Sequence, residues 1–409
     1  MRADYQTCRS RAGFRIALAR LPESECSALS VHVPAGGRDD PAGLAGLAHF
    51  VEHMSFKGTD SRTARCISIE TEDAGASLNA FTSEDQTVYE GRGDADCLPL
   101  LADIVSDMVW RSNFPESEIG LERDVIAEEI VMYYESPTDH IGDLISGALW
   151  TPHPLGEPIA GTLESVARVD RQALLDFTSS HHRREDVVIS VAGPFTMEQV
   201  LEHLEPHLPQ ALPAPPCQPY IGPAGGTSEL LEARETAQVQ LALAYRTFGR
   251  TDPRRHPARL LATILGDGAS SRLFQKLREE RGLCYQIGCD VTFLADTGAL
   301  EIHAGLDPDS RDEALACIRE ELDDLARNGP DETELARAKR LHESQTRATM
   351  ESTAAHASWI GDCVLHHDEV ITPEAALAEL AAVAATEVRD VARELIQPEN
   401  EALAEIHPV

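Results

Sequence analysis

The stretch Gly46-Leu47-Ala48-His49-Phe50-Val51-Glu52-His53-Met54 sets two imidazoles four residues apart with a carboxylate between them, in the order H-x-x-E-H. On an α-helix, positions i, i+3 and i+4 share one face. His49 and His53 would then offer their rings to one ion from adjacent turns, with Glu52 on the same side. The flanks carry helical punctuation. Asp40 can cap, Pro41 suits a first turn, and Gly58 stands at the end after Lys57. The plainer alternative is a helix with two half-buried histidines, so the rest of the chain has to separate the two readings.

The motif is the inverted order of the H-E-x-x-H zinc arrangement. A catalytic zinc site with one open position takes three protein ligands, so one remains to be found. Phe114-Pro115-Glu116 opens a predicted helix over residues 117–133, and its acidic first turn suits the helix dipole. Glu122 and Glu129 lie seven residues apart, on one face with Ile126 and Tyr133. A carboxylate among apolar neighbours is costly without a partner, and a metal would be one. Glu129 leads as third ligand, with the adjacent Glu128 as its rival. Spacing alone does not bring residues 53 and 129 together.

The chain has 409 residues, enough for two to four domains, and 42% of them are hydrophobic, enough for sizeable cores. No apolar run reaches the length of a membrane span. Met1-Arg2-Ala3-Asp4-Tyr5-Gln6 lacks the basic-then-apolar layout of a secretory signal. The expectation is a soluble, cytoplasmic protein with no membrane partner. Nine cysteines without C-x-x-C spacing read as reduced thiols, many of them buried fillers. A net charge of −34 excludes binding to nucleic acid or anionic membrane through the general field. That charge serves solubility, or it lines a chamber that draws basic peptides. Gly266-Asp267-Gly268 lacks the G-K-[ST] ending of a phosphate loop.

Period-two alternation predicts paired strands at residues 14–19 and 28–33, with His32 structural. A turn at 34–40 leads into the metal helix, and a short helix follows over about 63–73. Gly75-Ala76-Ser77-Leu78-Asn79-Ala80-Phe81-Thr82-Ser83 precedes a strand at 86–91. The glycine-led segment reads either as an ordinary hairpin arm or as an open sheet edge that pairs with an extended peptide. Further helices are predicted at 98–110, 165–181 and 197–207, with a strongly apolar strand at 186–193. Residues 208–226 are rich in Pro, Ala and Gly and read as a linker between an N-terminal domain, 1–207, and a C-terminal domain, 227–409. The second half restarts in similar order. It has a strand at 237–245, a helix to about 265, strands at 285–293 and 298–304, and helices at 310–328, 331–365 (whole or broken) and 373–395. The fold class is therefore α+β in two tandem units, and the second carries no H-x-x-E-H.

His49-Phe50-Val51-Glu52-His53-Met54-Ser55-Phe56-Lys57-Gly58-Thr59 resembles the signature of the pitrilysin–insulysin family of inverted-motif zinc peptidases, which includes the mitochondrial processing peptidase and short bacterial peptidases. The likeness runs on through residues 75–82, Thr87-Val88-Tyr89, residues 122–130, His153-Pro154-Leu155-Gly156 and Ser270-Ser271-Arg272-Leu273-Phe274. It implies one Zn2+ per chain on His49, His53 and Glu129, with Glu122 supporting the site and Glu52 as general base. It also implies that Asn79 and its strand receive the substrate. Arg278 and Tyr285, seven residues apart, match a pair that binds substrate and steadies the oxyanion. The family's enclosed chamber takes four such domains, in mixed or antiparallel sheets covered by helices. Two domains here imply half of a clamshell and a homodimer, or a heterodimer with a related chain. The activity implied is zinc endopeptidase cleavage of unfolded peptides. Two other roles are a maturation protease that removes a leader peptide and a non-catalytic assembly subunit, although subunits of that last kind tend to lose the metal residues.

Overall fold

The computed structural model describes residues 3–213 and 228–409. Most of the predicted linker, 214–226, lies outside the described residues. Its described start is docked rather than free: Ala211 N–H donates to the Ala12 carbonyl at 2.8 Å, and Glu185 N–H donates to the Leu212 carbonyl at 2.8 Å.

In the first sheet, β1 (Asp4–Arg9), β2 (Arg15–Arg20), β3 (Cys26–Val33), β4 (Ser77–Thr82), β5 (Thr87–Asp94) and β6 (Val188–Gly193) lie in the order β1-β2-β6-β3-β5-β4. The strands expected to pair with each other, β2 and β3, do not. β6 lies between them, parallel to β2 and antiparallel to β3. All six of its residues are buried, and a strand apolar on both faces belongs at the centre of a sheet. β1 was not legible as a strand, and it supplies the partner that β2 lacks. β4 is the opposite edge, with alternate residues exposed.

The second sheet repeats the scheme. β7 (Glu229–Arg234), β8 (Val239–Phe248), β9 (Cys284–Phe293), β10 (Thr297–Leu306) and β11 (Glu401–Pro408) lie in the order β7-β11-β8-β10-β9. Its last strand in sequence again lies between the first two, parallel to one and antiparallel to the other. Predicted helices break where polar residues can cap a new start. Asp170 accepts the Ala173 N–H and divides 165–181, and Ser352 begins Thr353–His367 within 331–365. Among the described residues no helix is long and apolar enough to cross a membrane, and the described cysteines form no disulfide.

The chain forms two compact units, and neither is contiguous. One gathers Met1–Ile130, Pro158–Gln218 and Thr346–Thr372; the other gathers Val131–Glu157, Pro219–Gln345 and Pro373–Val409. Each sheet is thus backed by a helix from the other half of the sequence. Helix Thr353–His367 packs on β2, β3 and β6, where Ala357, Ile360 and Val364 meet Ala17, Ala19, Ala28, Val188 and Ala192. Helix Pro137–Trp150 packs on β7, β8 and β11, where Ile141, Ile145 and Ala148 meet Ala242, Ala244, Ala402 and Ala404. Rows of alanine let each helix settle close to its sheet.

The closest approach is at Gly361, where any Cβ would overlap the buried ring of His32. His32 is held there by a 3.1 Å hydrogen bond between its Nε2 and Ser190 Oγ. Gly361→Ala is expected to destabilise the protein by about 1–3 kcal/mol, as overpacking does. A lowered melting temperature checks it.

Candidate metal centre

The helix bearing H-x-x-E-H spans Leu47–Met54. It starts later than the expected Pro41, because residues 41–46 form a turn that ends on Gly46 with φ 89°. A Cβ at Gly46 would collide with the Ala160 carbonyl, so only glycine fits. Asp40 still caps the helix, but from a distance. Its carboxylate accepts from Gly46 N–H at 2.7 Å, Leu47 N–H at 3.2 Å and Ala48 N–H at 2.8 Å, three of the donors a helix start leaves open. Leu47, Phe50, Val51 and Met54 are buried in the core, and this anchors the opposite face.

That face carries the site. His53 Nδ1 lies 2.8 Å from Glu122 Oε1, and Glu122 Oε2 accepts from Lys57 Nζ at 2.6 Å. Glu122 is 4% exposed. Burial pushes its carboxyl up, but the bonds from His53 and Lys57 outweigh this and hold it below its ordinary value. With Nδ1–H committed to Glu122, His53 turns the lone pair of Nε2 toward Glu129. Burial pushes His53 down, yet Glu122, Glu52 and Glu129 together raise it. Burial, reinforced by His53, lowers His49 to about 4, which keeps that ring neutral and able to ligate at neutral pH.

Glu129 Oε2 stands 3.8 Å from His49 Nε2 and 3.6 Å from His53 Nε2, too far for hydrogen bonds. One ligand atom from each of the three residues lies within 4.8 Å of the others. Tetrahedral bonds of about 2.0–2.2 Å put ligand atoms roughly 3.4 Å apart, so the two nitrogens and one oxygen fit zinc. Both carboxylates come from the helix Glu116–Glu135, two turns apart. Glu128, the rival, is exposed and outside this group.

Glu52 lies on the helix Leu47–Met54 between the two histidines, buried, with burial pushing its carboxyl up. Its Oε2 accepts from the Thr82 hydroxyl at 2.8 Å. Asn79 is exposed on β4, the strand that ends at Thr82. Arg278 and Tyr285 belong to the second unit. Arg278 is exposed on the π-helical segment Phe274–Glu280, its guanidinium 4.8 Å from the centre of the Phe274 ring. Tyr285 is 75% exposed near the start of β9, an edge strand. Arg281, one turn on, pairs with Glu313 at 3.4 Å. Sequence reasoning missed Lys57 and Thr82 as parts of the site. Lys57 follows His53 by four residues, and that spacing was the available signal; Thr82 had none beyond its place at the end of the strand.

Residues 15–163 match the family described as insulinase (peptidase family M16), and residues 168–341 match the peptidase M16 inactive domain. The chain is 33% identical to an uncharacterized zinc protease of Mycobacterium leprae, over 94% of this chain and 87% of that one. It is 32% identical to one of Bacillus subtilis, over 98% and 97%. Its fold is similar to that of a protease from Helicobacter pylori, with TM-score 0.90, 19% identity and 100% of both chains covered. It is also similar to a peptidase M16 inactive domain from Pseudomonas fluorescens, with TM-score 0.91, 20% identity and 99% and 98% covered.

Removing the group that orients His53 should loosen the metal. Glu122→Ala is expected to weaken zinc binding about 10–100-fold, and Lys57→Met by less. Competition against a chromophoric chelator measures both.

Proposed function

The chain belongs to the insulinase family (peptidase family M16), and from that premise we propose that it is a zinc endopeptidase of unfolded peptides. The observation that carries this reading is the convergence of Glu129, from the helix Glu116–Glu135, on His49 and His53, which share the helix Leu47–Met54 with Glu52. His49, His53 and Glu129 would hold one Zn2+ per chain, and Glu122 would keep His53 in its ligating tautomer. Zinc, when bound there, supplies Lewis acidity to the scissile carbonyl and to the attacking water. Glu52 takes a proton from that water at its free carboxylate oxygen and passes it to the leaving amine. Its raised proton affinity suits both transfers.

The open edge of β4 supports the rest of the reading. An extended peptide would add to it as a further strand, with backbone hydrogen bonds giving affinity and Asn79 facing the substrate. A folded protein offers no free strand for this, so the substrate class is unfolded segments. Arg278 and Tyr285 would donate to the negative oxygen that develops during attack. One chain holds both residue sets, which supports a homodimer in which each zinc face is completed by the partner.

Glu52→Gln is expected to keep one zinc per chain and to lower kcat by about 10²–10⁴-fold; metal analysis and peptide turnover read the two effects, and wild-type turnover would contradict the mechanism. Inactive Glu52→Gln and Arg278→Ala chains, mixed and allowed to exchange, are expected to regain activity. A mixture as inactive as its components would rule out completion in trans.

A further inference from the structure

Thr82 is the last residue of β4, and it touches the metal helix at one point. Its hydroxyl donates to Glu52 Oε2 at 2.8 Å. Among the described residues no other side chain hydrogen-bonds Glu52. An ionised carboxylate only accepts hydrogen bonds, and a glutamate has several rotatable bonds. A donor fixed on Oε2 therefore orients the group and leaves Oε1 to meet water.

Thr82 is well placed to be that fixed donor. It is β-branched and stiff at χ1. It stands opposite Thr87 in the β4–β5 ladder, and Thr87 Oγ1 donates to the Ala35 carbonyl at 2.9 Å. The hairpin turn beyond it is closed by Ser83 N–H donating to the Gln86 carbonyl at 2.8 Å. Gly37 N–H donates to the Ser83 carbonyl at 3.0 Å, and Arg38 N–H to the Glu84 carbonyl at 2.9 Å. These bonds tie the hairpin to the segment that enters the metal helix. A donor braced in this way has little freedom to move relative to Glu52.

We propose that Thr82 is a positioning residue for the reaction: its hydroxyl holds Glu52 in register with the strand that carries the substrate. The peptide takes its place from the edge of β4, and the base takes its orientation from the end of the same strand. The distance between base and scissile bond is then set within one element. This inference rests on the reading of Glu52 as general base.

The test uses zinc-loaded enzyme and a quenched fluorescent peptide that the wild type cleaves. Thr82→Val keeps the β-branched shape and removes only the hydroxyl; Thr82→Ser keeps the hydroxyl. Thr82→Val is expected to lower kcat about 10–100-fold with KM within about twofold, because misplacing a base costs turnover rather than binding. Zinc content and melting temperature should match the wild type. Thr82→Ser should return kcat to within about threefold. A Thr82→Val kcat within about twofold of wild type, a loss confined to KM, or a Thr82→Ser as impaired as Thr82→Val would each overturn the proposal. Glu52→Gln is measured alongside. If it is inactive while Thr82→Val is unimpaired, only this inference fails; if it turns over like wild type, the general-base reading fails and takes this inference with it.

Discussion

Glu122 is a carboxylate with almost no exposure, and such a group persists only when its oxygens are met by charged or strongly donating partners. Here Oε1 meets His53 Nδ1 and Oε2 meets Lys57 Nζ. The first contact joins the helix Leu47–Met54 to the helix Glu116–Glu135 across 69 residues of sequence, and the second ties in Lys57 just beyond the first helix. Once they are joined, the helical repeat does the rest. Two turns beyond Glu122 the same face presents Glu129, opposite the two imidazoles. One hydrogen-bonded carboxylate therefore orients a ring, fixes its tautomer and brings a second carboxylate to face both imidazoles.

The two sheets share one plan. β2, β3, β4, β5 and β6 correspond in order and direction to β7, β8, β9, β10 and β11, including the late parallel strand between the first two. By this correspondence the counterpart of the metal helix is Arg255–Gly266, which follows β8 as Leu47–Met54 follows β3. Its second residue is His256, but it has no other histidine and no acid, so the repeat preserves architecture without the ligand set. Both units leave an edge strand open at the same place in the plan, β4 in one and β9 in the other. Residues read as substrate-facing, Asn79 and Tyr285, sit on those two strands.

The cluster of His49, His53 and Glu129 was legible because it obeys local rules. H-x-x-E-H is a helical spacing, and the step from Glu122 to Glu129 is another. The choice of Glu129 over Glu128 came from family resemblance, and the geometry now supplies the reason: one faces the imidazoles while the other is exposed. What escaped was non-local. Asp40 looked like an adjacent cap, yet it bonds amides six to eight residues away across a turn. β6 is separated by more than 150 residues from the strands it divides, so neither neighbour encodes its insertion. The backing helices are each assigned by sequence to the wrong sheet, because amphipathic patterning says which face is buried and not what covers it.

That reciprocal backing has a consequence for how the protein is made. When the ribosome has delivered β6, every strand of the first sheet exists, but the alanine-rich face that receives Ala357, Ile360 and Val364 has no cover. At synthesis rates of roughly 5–20 residues per second, the covering helix arrives on the order of tens of seconds later. During that interval an apolar sheet face is open to solvent and to other nascent chains. Cutting the gene between the halves would make the interval permanent, since each fragment would carry the helix the other needs. The two halves are therefore one folding unit, to be expressed and engineered as one piece.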